Sequence, residues 1–409
     1  MNILYVTQNY LPFIGGIELQ TQMAAQELSK RHNVAVAAGN FAPCVLPSRL
    51  GTLNNNLLAP SFADYHDETV PVHALTPSFA NRLRMLPIAV RALPVVQRYA
   101  YHGLNRFGYR FYRAVYVPRL RKLMERADIV HATAAGYIGW AAQEAAHSLG
   151  LPFVCTPYVH PHQWGDGPDD VAYYRRSQAV IGLLESDRLN LAGLGVPEEI
   201  LRVIGVVPVM SPTSDAAAFR EKHRLADHPV VLYVGRMTPH KGFRAILQAA
   251  PEIWRHTPEA RLVFVGPAEP EEAAEFAKAD PRIVFLGRCS DQEKSDALAA
   301  CDLFCMPSTS EILPTVYLEA WSQGKPVVGG RAPGLPELIE GNSAGIAVEQ
   351  TAAAVAEAIV RILSDSALRE SFGRNGLRLV RDNYSQEVVT GQLEALYLEL
   401  TRTRVLQAA

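Results

Sequence analysis

Val230-Val-Leu-Tyr-Val-Gly-Arg-Met-Thr-Pro-His-Lys-Gly-Phe243 is the stretch from which the fold is read. Five consecutive apolar residues ended by a glycine predict a buried strand, and a helical pattern begins at Phe243. Gly235 to Gly242 are then a strand-to-helix turn. In doubly wound sheets the ligand crevice lies beyond the C-terminal strand ends, and a helix N-terminus presents free N–H groups to phosphate. At this turn Arg236 can grip two phosphate oxygens in its planar fork, while Lys241 adds a mobile point charge.

The same alternation extends both ways. Upstream, apolar runs at Asn2 to Thr7, Asn33 to Ala38, Asp128 to Ala132, Pro152 to Thr156, Ala179 to Leu183 and Ile200 to Gly205 are separated by helical patterns at about Ile17 to Lys30 and Ile138 to Leu149. Downstream, the helix from about Phe243 to Trp254 is followed by runs at Ala260 to Gly266, Arg282 to Leu286, Asp302 to Met306 and Pro326 to Val328. Strands alternating with helices predict parallel sheets covered on both faces, here as two complete doubly wound units. A chain of 409 residues exceeds what one core serves, so two domains of roughly 200 residues are expected. Between them Val206-Val-Pro-Val-Met-Ser-Pro-Thr-Ser-Asp215 reads as a linker. The expected division is 1–207, 208–385 and a final helix, 386–409, able to pack back on the N-terminal domain.

Composition excludes several classes. Hydrophobic residues at 48% and charged residues at 20% fit a globular protein and not a disordered one. Five cysteines without a Cys-x-x-Cys pair argue against a disulfide framework or a zinc knuckle, and Cys301 and Cys305 bracket an apolar run as core residues would. No apolar run approaches the ~20 residues that span a bilayer, and the N-terminus lacks the basic region and cleavage site of a signal peptide. A cytoplasmic protein is expected, able to sit on the inner face of a membrane.

One segment breaks the alternation. Arg82 to Arg126 holds eleven Lys plus Arg against a single acid, Glu125, so it carries +10 while the rest of the chain carries −12. Arg98, His102, Arg106, Arg110 and Arg113 fall on one helical stripe, with Tyr99, Tyr101, Phe107, Tyr109, Phe111, Tyr112 and Tyr116 interleaved. Such a segment suits an anionic membrane surface, or is simply a solvated helix face, and Gly103 and Gly108 weaken it as a helix. The aromatics form no RNA motif, so nucleic acid is not an expected partner.

Beyond the run Asp302 to Met306, Glu311 and Glu319 lie eight residues apart in Pro307-Ser-Thr-Ser-Glu-Ile-Leu-Pro-Thr-Val-Tyr-Leu-Glu319, with Pro314 expected at the first helical position. Two cations for a diphosphate and two acids for sugar hydroxyls are what a nucleotide-sugar site needs. Gly15-Gly16, after the first strand and before a helix carrying Glu18, lets backbone approach a phosphate or acceptor; a plain tight turn is the alternative. Asp166, Asp169 and Asp170 sit among Gly165, Gly167 and Pro168 and read as loop, not metal ligands.

Taken in order, Tyr-Val-Gly-Arg236-Met-Thr-Pro-His-Lys241-Gly-Phe, Phe-Val-Gly266-Pro, Phe-Leu-Gly287-Arg, Asp302-Leu-Phe-Cys-Met-Pro307-Ser-Thr-Ser-Glu311, Leu318-Glu319-Ala and Gly334-Leu-Pro336-Glu337 resemble the retaining GT-B glycosyltransferases of the group-1 type, glycosyltransferase family 4. The resemblance covers the second domain and reaches Pro12-Phe-Ile-Gly15-Gly16-Ile-Glu18. It implies two Rossmann-like domains facing a central cleft, the first binding acceptor and the second donor. Arg236 and Lys241 would bind the donor diphosphate, Glu311 the donor sugar and Glu319 the ribose. Pro314, Thr315 and Val316 would stand at the helix start beside the donor. In Thr156-Pro-Tyr158-Val-His160-Pro, the family's catalytic histidine falls on Tyr158 by spacing and on His160 by the His-Pro pair; His160 is preferred. The family's Glu-Gly-Phe-Gly is here Glu311-Ile312-Leu313-Pro314, which removes two glycines and one N–H donor.

The function so implied is retaining transfer of a sugar from a nucleoside diphosphate sugar to a hydroxyl of a glycan or lipid-linked acceptor, in glycan or surface-polysaccharide biosynthesis. No cofactor and no metal are expected. An epimerase or hydrolase of the same fold, or a non-catalytic sugar-nucleotide-binding protein, are the alternatives.

Overall fold

The computed structural model describes residues 1–12, 15–40, 57–58, 60–92, 101–133, 135–160 and 164–408. The chain divides into two compact units, one of Met1–Ile204 with Thr390–Ala409, the other of Gly205–Val389.

The first unit is built on an eight-stranded sheet of order β3-β4-β2-β1-β5-β6-β7-β8. Its strands are β1 (Asn2–Asn9), β2 (Asn33–Asn40), β3 (Tyr65–Asp67), β4 (Val70–Ala74), β5 (Ile129–Ala132), β6 (Phe153–Cys155), β7 (Ala179–Gly182) and β8 (Leu201–Val203). All pairings are parallel except the edge hairpin β3/β4. The near-continuous apolar strands, such as the fully buried Ile129–Ala132, are what a sheet covered on both faces requires. Asp67, at the end of β3, accepts from Tyr10 Oη and from the amides of Gln22 and Gln26, tying the hairpin to the helix Gly16–Ser29.

The helix Gln386–Ala408 supplies Tyr397 to this core. Its hydroxyl lies 2.8 Å from Tyr5 Oη and 2.6 Å from His131 Nδ1, and His131 Nε2 lies 2.8 Å from Thr156 Oγ1. Burial holds the His131 imidazole neutral, its pKa lowered to about 3, so His131 is a core group. Glu394 on the same helix pairs with Arg31 and His32.

The later part of the basic segment forms one helix, Tyr101–Met124, despite its glycines. Arg98 and the side chains of Tyr99, Tyr101 and His102 lie outside the described residues. The central tyrosines of the helix turn inward: Tyr112 and Tyr116 are 2% and 1% exposed and stack on each other, and Tyr109 packs on Tyr137 and Trp140. Tyr109 and Tyr112 pack against the helix Tyr137–Ser148, while Phe107, Arg106, Arg110, Arg113, Arg121 and Lys122 remain exposed. Arg106 pairs with Asp169 and Arg113 with Glu144.

The second unit has a six-stranded sheet of order β11-β10-β9-β12-β13-β14, with every pairing parallel. Its strands are β9 (Val230–Val234), β10 (Arg261–Val265), β11 (Ile283–Gly287), β12 (Leu303–Met306), β13 (Val327–Gly330) and β14 (Gly345–Val348). From β9 the chain builds outward through β10 to β11, then crosses to β12 on the other side of β9. The order therefore reverses between β9 and β12, and a doubly wound sheet takes its ligand at such a reversal.

The helix Thr315–Ser322 is seated by Trp321, wholly buried, whose indole N–H donates to the Ala344 carbonyl at 2.9 Å. Gly376, on the helix Ser366–Asn383, makes the room: a Cβ there would stand 2.1 Å from Trp321 Cδ1. Alanine in a helix is favoured over glycine by roughly 1 kcal/mol, but overpacking a core costs roughly 1–3 kcal/mol and the clash falls on a rigid ring. Gly376→Ala should therefore lower stability by at least ~1 kcal/mol in chemical denaturation; unchanged or raised stability would mean that the two helices can separate freely.

Candidate functional site

The loop after β9 and the loop after β12 are locked together. Gly242, at φ +82°, caps the helix Phe243–His256, and a Cβ on it would lie 2.7 Å from both Cγ and O of Pro307. Only glycine suits both the left-handed backbone and that approach. The His240 carbonyl accepts from Thr309 N–H at 2.9 Å, Ser308 Oγ at 3.0 Å and Gln350 Nε2 at 3.0 Å. Gln350 also donates to the Pro307 carbonyl. On the far side, Gly266 packs so tightly against Gly235 that a Cβ would stand 2.0 Å from the Gly235 carbonyl oxygen.

This brace brings Lys241 and Glu311 together, Nζ to Oε1 at 2.5 Å, with side-chain exposures of 19% and 11%. The pair sits at the C-terminal edge of β9 and β12, on the strand-order reversal. Arg236 follows β9 and is exposed; its guanidinium makes no hydrogen bond or ion pair among the described residues, while its carbonyl accepts from Tyr233 Oη at 2.7 Å. Burial and the charge of Lys241 lower the His240 pKa, so its imidazole favours the neutral form beside the two cations.

Glu319 does not join that pair. It is 2% exposed, and Lys294 Nζ from the helix Asp291–Ala300 stands 3.0 Å from its Oε2. Thr315 and the Val209 N–H also bond to it, and burial raises its pKa. Pro314 occupies the cap position and not the first helical one, because its extended backbone, ψ 111°, precedes the turn that begins at Thr315. Leu313 and Pro314 are buried, Thr315 and Val316 partly exposed. Tyr317 fixes this end of the sheet, its hydroxyl donating to the Met306 carbonyl at 2.6 Å and accepting from Gly330 N–H at 3.2 Å.

In the first unit, Gly15 caps the helix Gly16–Ser29 after β1, Gly16 is exposed, and Glu18 is buried with a raised pKa caused by that burial. His160 follows β6, forms a two-bond backbone bridge with Trp164 and tilts its ring on the indole at 5.4 Å. Tyr158 has a left-handed backbone, φ +51°, rare for a side chain of its size. Burial, then Asp169, pushes Asp170 up to about 6, and Asp169 is paired with Arg106, so these acids are structural. Among the described residues no three His, Cys, Asp or Glu side chains gather as a metal ion would need.

Residues 215–378 match the family described as glycosyl transferases group 1, and residues 15–206 match the glycosyl transferase 4-like domain. The chain belongs to the group 1 glycosyltransferases. This glycosyltransferase is 26% identical over 416 residues to the GDP-mannose-dependent alpha-(1-6)-phosphatidylinositol monomannoside mannosyltransferase of Mycolicibacterium smegmatis, covering 96% of this chain and 99% of that protein. It is 32% identical over 189 residues to the alpha-D-kanosaminyltransferase of Streptomyces kanamyceticus; this match spans 45% of the chain and about half, 49%, of that relative. Its fold is that of Anabaena Alr3699/HepE, solved in complex with UDP and glucose, at a TM-score of 0.70 and 20% identity over 98% of this chain and 100% of the other. Sucrose-phosphate synthase from Thermosynechococcus elongatus has the same fold, with a TM-score of 0.69 and 19% identity over 98% and 99% of the two chains. The two parallel-sheet α/β units of the glycosyltransferase are thus the GT-B architecture expected from its motifs.

Lys294, Gln350 and Tyr317, which contact Glu319, Pro307 and Met306 around these turns, carried no sequence signal. Lys294 lies in Asp291-Gln-Glu-Lys-Ser-Asp296, which reads as a solvated helix face until the fold places Glu319 above it.

The two cations should respond differently to truncation. Lys241→Ala leaves the half-buried Glu311 unpaired and should cost roughly 1–3 kcal/mol. Arg236→Ala removes an exposed, unengaged side chain and should stay within about 0.5 kcal/mol of the parent in denaturant titration. Equal losses in the two variants would contradict this placement.

Proposed function

We propose that this glycosyltransferase moves a sugar from a nucleoside diphosphate sugar to a hydroxyl of a glycan or lipid-linked acceptor, with retention at the anomeric carbon. The observation that carries the reading is the Lys241–Glu311 pair on the strand-order reversal, with Arg236 unengaged beside it. A diphosphate arriving there meets two cations from one turn, and a sugar on that diphosphate meets the Glu311 carboxylate. Glu311 neutralises Lys241 before the donor binds and is then available to accept from sugar hydroxyls. Glu319 takes the ribose in this reading.

In the reaction the bond from the anomeric carbon to the β-phosphate oxygen breaks. Negative charge grows on the departing diphosphate, and Arg236 and Lys241 stabilise it more in the transition state than in the bound donor. The acceptor oxygen attacks from the face that the phosphate leaves, and its proton passes to a phosphate oxygen, so the configuration is kept. Thr315 and Val316 offer N–H groups at the start of their helix, where Pro314 has none. Gly15, Gly16 and His160 are the first unit's candidates, at the C-terminal ends of β1 and β6; His160 is preferred to Tyr158 as the histidine beside the anomeric centre.

The named relatives guide the choice of donors to try, GDP-mannose and UDP-glucose first. Lys241→Ala or Arg236→Ala should each lower turnover by about 10²–10³-fold, measured as nucleoside diphosphate release in the presence of acceptor. Normal turnover in either variant, or release that is indifferent to any hydroxyl acceptor, would remove the transferase site from this place.

A second observation favours an acceptor held at a lipid surface. Phe79, Leu83 and Leu86, spaced by four and three residues, are 76%, 50% and 52% exposed, and Arg84 is exposed among them. This apolar row and the outward basic face of Tyr101–Met124 suit an anionic bilayer; no helix of the described residues is long and apolar enough to cross one. Vesicles containing phosphatidylglycerol should co-sediment the chain in a salt-sensitive way, and Phe79→Asp with Leu83→Asp should lower the bound fraction about tenfold. Equal sedimentation of the variant would assign this row another role.

A further inference from the structure

Glu319 is the acid of the proposed donor site that the fold takes out of water, and its surroundings are specific. Lys294 Nζ donates to the Val209 carbonyl at 2.8 Å, which fixes the ammonium between the segment after β8 and the helix Thr315–Ser322. The same ammonium stands 3.0 Å from Glu319 Oε2, so one cation holds both the carboxylate and the segment after β8. Each carboxylate oxygen has two acceptor directions, so a carboxylate held in this way can still accept from a ligand.

A carboxylate removed from water tends to keep its proton unless a cation stands beside it. Of the charged groups acting on Glu319, Lys294 is the one from a neighbouring helix; the Thr315 hydroxyl on its own helix and the Val209 N–H supply the remaining polar contacts. Burial already raises the Glu319 pKa with Lys294 in place, so removing the ammonium moves it further in the same direction. Protonated, the acid would offer a donor where ribose hydroxyls need an acceptor.

We propose that Lys294 is a positioning residue of the donor site, holding Glu319 charged and turned so that its carboxylate accepts from the ribose hydroxyls of a nucleoside diphosphate. The proposal rests on the nucleotide-sugar reading given above. Lys294 touches no reacting atom; it acts through Glu319, and only the charged form of Glu319 binds.

Calorimetric titration of the full chain with UDP and with GDP, at about pH 6 and about pH 8.5, tests it. Relative to the parent at each pH, Lys294→Met should weaken binding by about tenfold or more at the lower pH, and the gap should shrink at the higher, since each pH unit below a pKa removes tenfold of the ionised form. Lys294→Arg should restore affinity to within about threefold, and Lys294→Met with Glu319→Gln should show a gap that no longer depends on pH. Should the methionine variant not fold by circular dichroism, Lys294→Gln, whose amide can keep the bond to Val209, carries the same comparison. A gap of equal size at both pH values, or none at all, would overturn the role of Lys294. A parent chain that binds neither nucleotide at either pH would overturn the nucleotide-sugar reading itself, which is a different result from parent binding with a pH-indifferent variant.

Discussion

The His240 carbonyl, receiving Thr309 N–H, Ser308 Oγ and Gln350 Nε2, is the contact on which the second unit's site depends. It joins the turn after β9 to the turn after β12, and Gly242 allows the join by having no side chain to meet Pro307. Lys241 follows directly after the fixed carbonyl, and Glu311 lies two residues beyond the fixed Thr309. The cation and the acid are thus neighbours because their backbones are bound to each other. Their ion contact is the consequence of that brace, since a partly exposed pair alone gives little stability with which to order two loops. Tyr317 and Trp321 extend the same rigidity into the helix that carries Glu319.

Much of the fold was legible because strands buried on both faces leave unbroken apolar runs. Val230–Val234, Leu303–Met306 and Ile129–Ala132 are entirely buried, and each stands in the sequence as a short run ended by a turn residue or a polar one. The hairpin Tyr65–Asp67 with Val70–Ala74 was not legible. It is an edge element of three and five residues, tied down by Asp67 reaching Tyr10, Gln22 and Gln26. Nothing local marks such a contact. The helix Tyr101–Met124 was doubtful because Gly103 and Gly108 oppose it; packing of Tyr112 and Tyr116 into the core outweighs the roughly 1 kcal/mol per glycine of lost propensity.

For the site, spacing placed Arg236, Lys241 and Glu311 near one another because all three follow parallel strands that are adjacent in the sheet. Spacing could not give the different state of Glu319. Eight residues separate the two acids, but one lies in a loop and the other on the buried side of a helix, where its first partner is Lys294. The sequence could not say which way Tyr109, Tyr112 and Tyr116 face, for a similar reason. A stripe of tyrosines has the same period whether it faces lipid or a neighbouring helix, and here Tyr137 and Trp140 supply that neighbour.

The central claim is that the turns after β9 and β12 together receive a nucleoside diphosphate. Hydrogen exchange of the full chain, followed by mass spectrometry with and without saturating UDP or GDP, measures this peptide by peptide. The account predicts slowed exchange in Gly235–Phe243 and Ser308–Leu318, with no change in the groove between the helices Phe243–His256 and Ala352–Ser364 that Glu252, His256 and Glu357 line. Protection confined to that groove, or absent from both turns while nucleotide is bound, would contradict it.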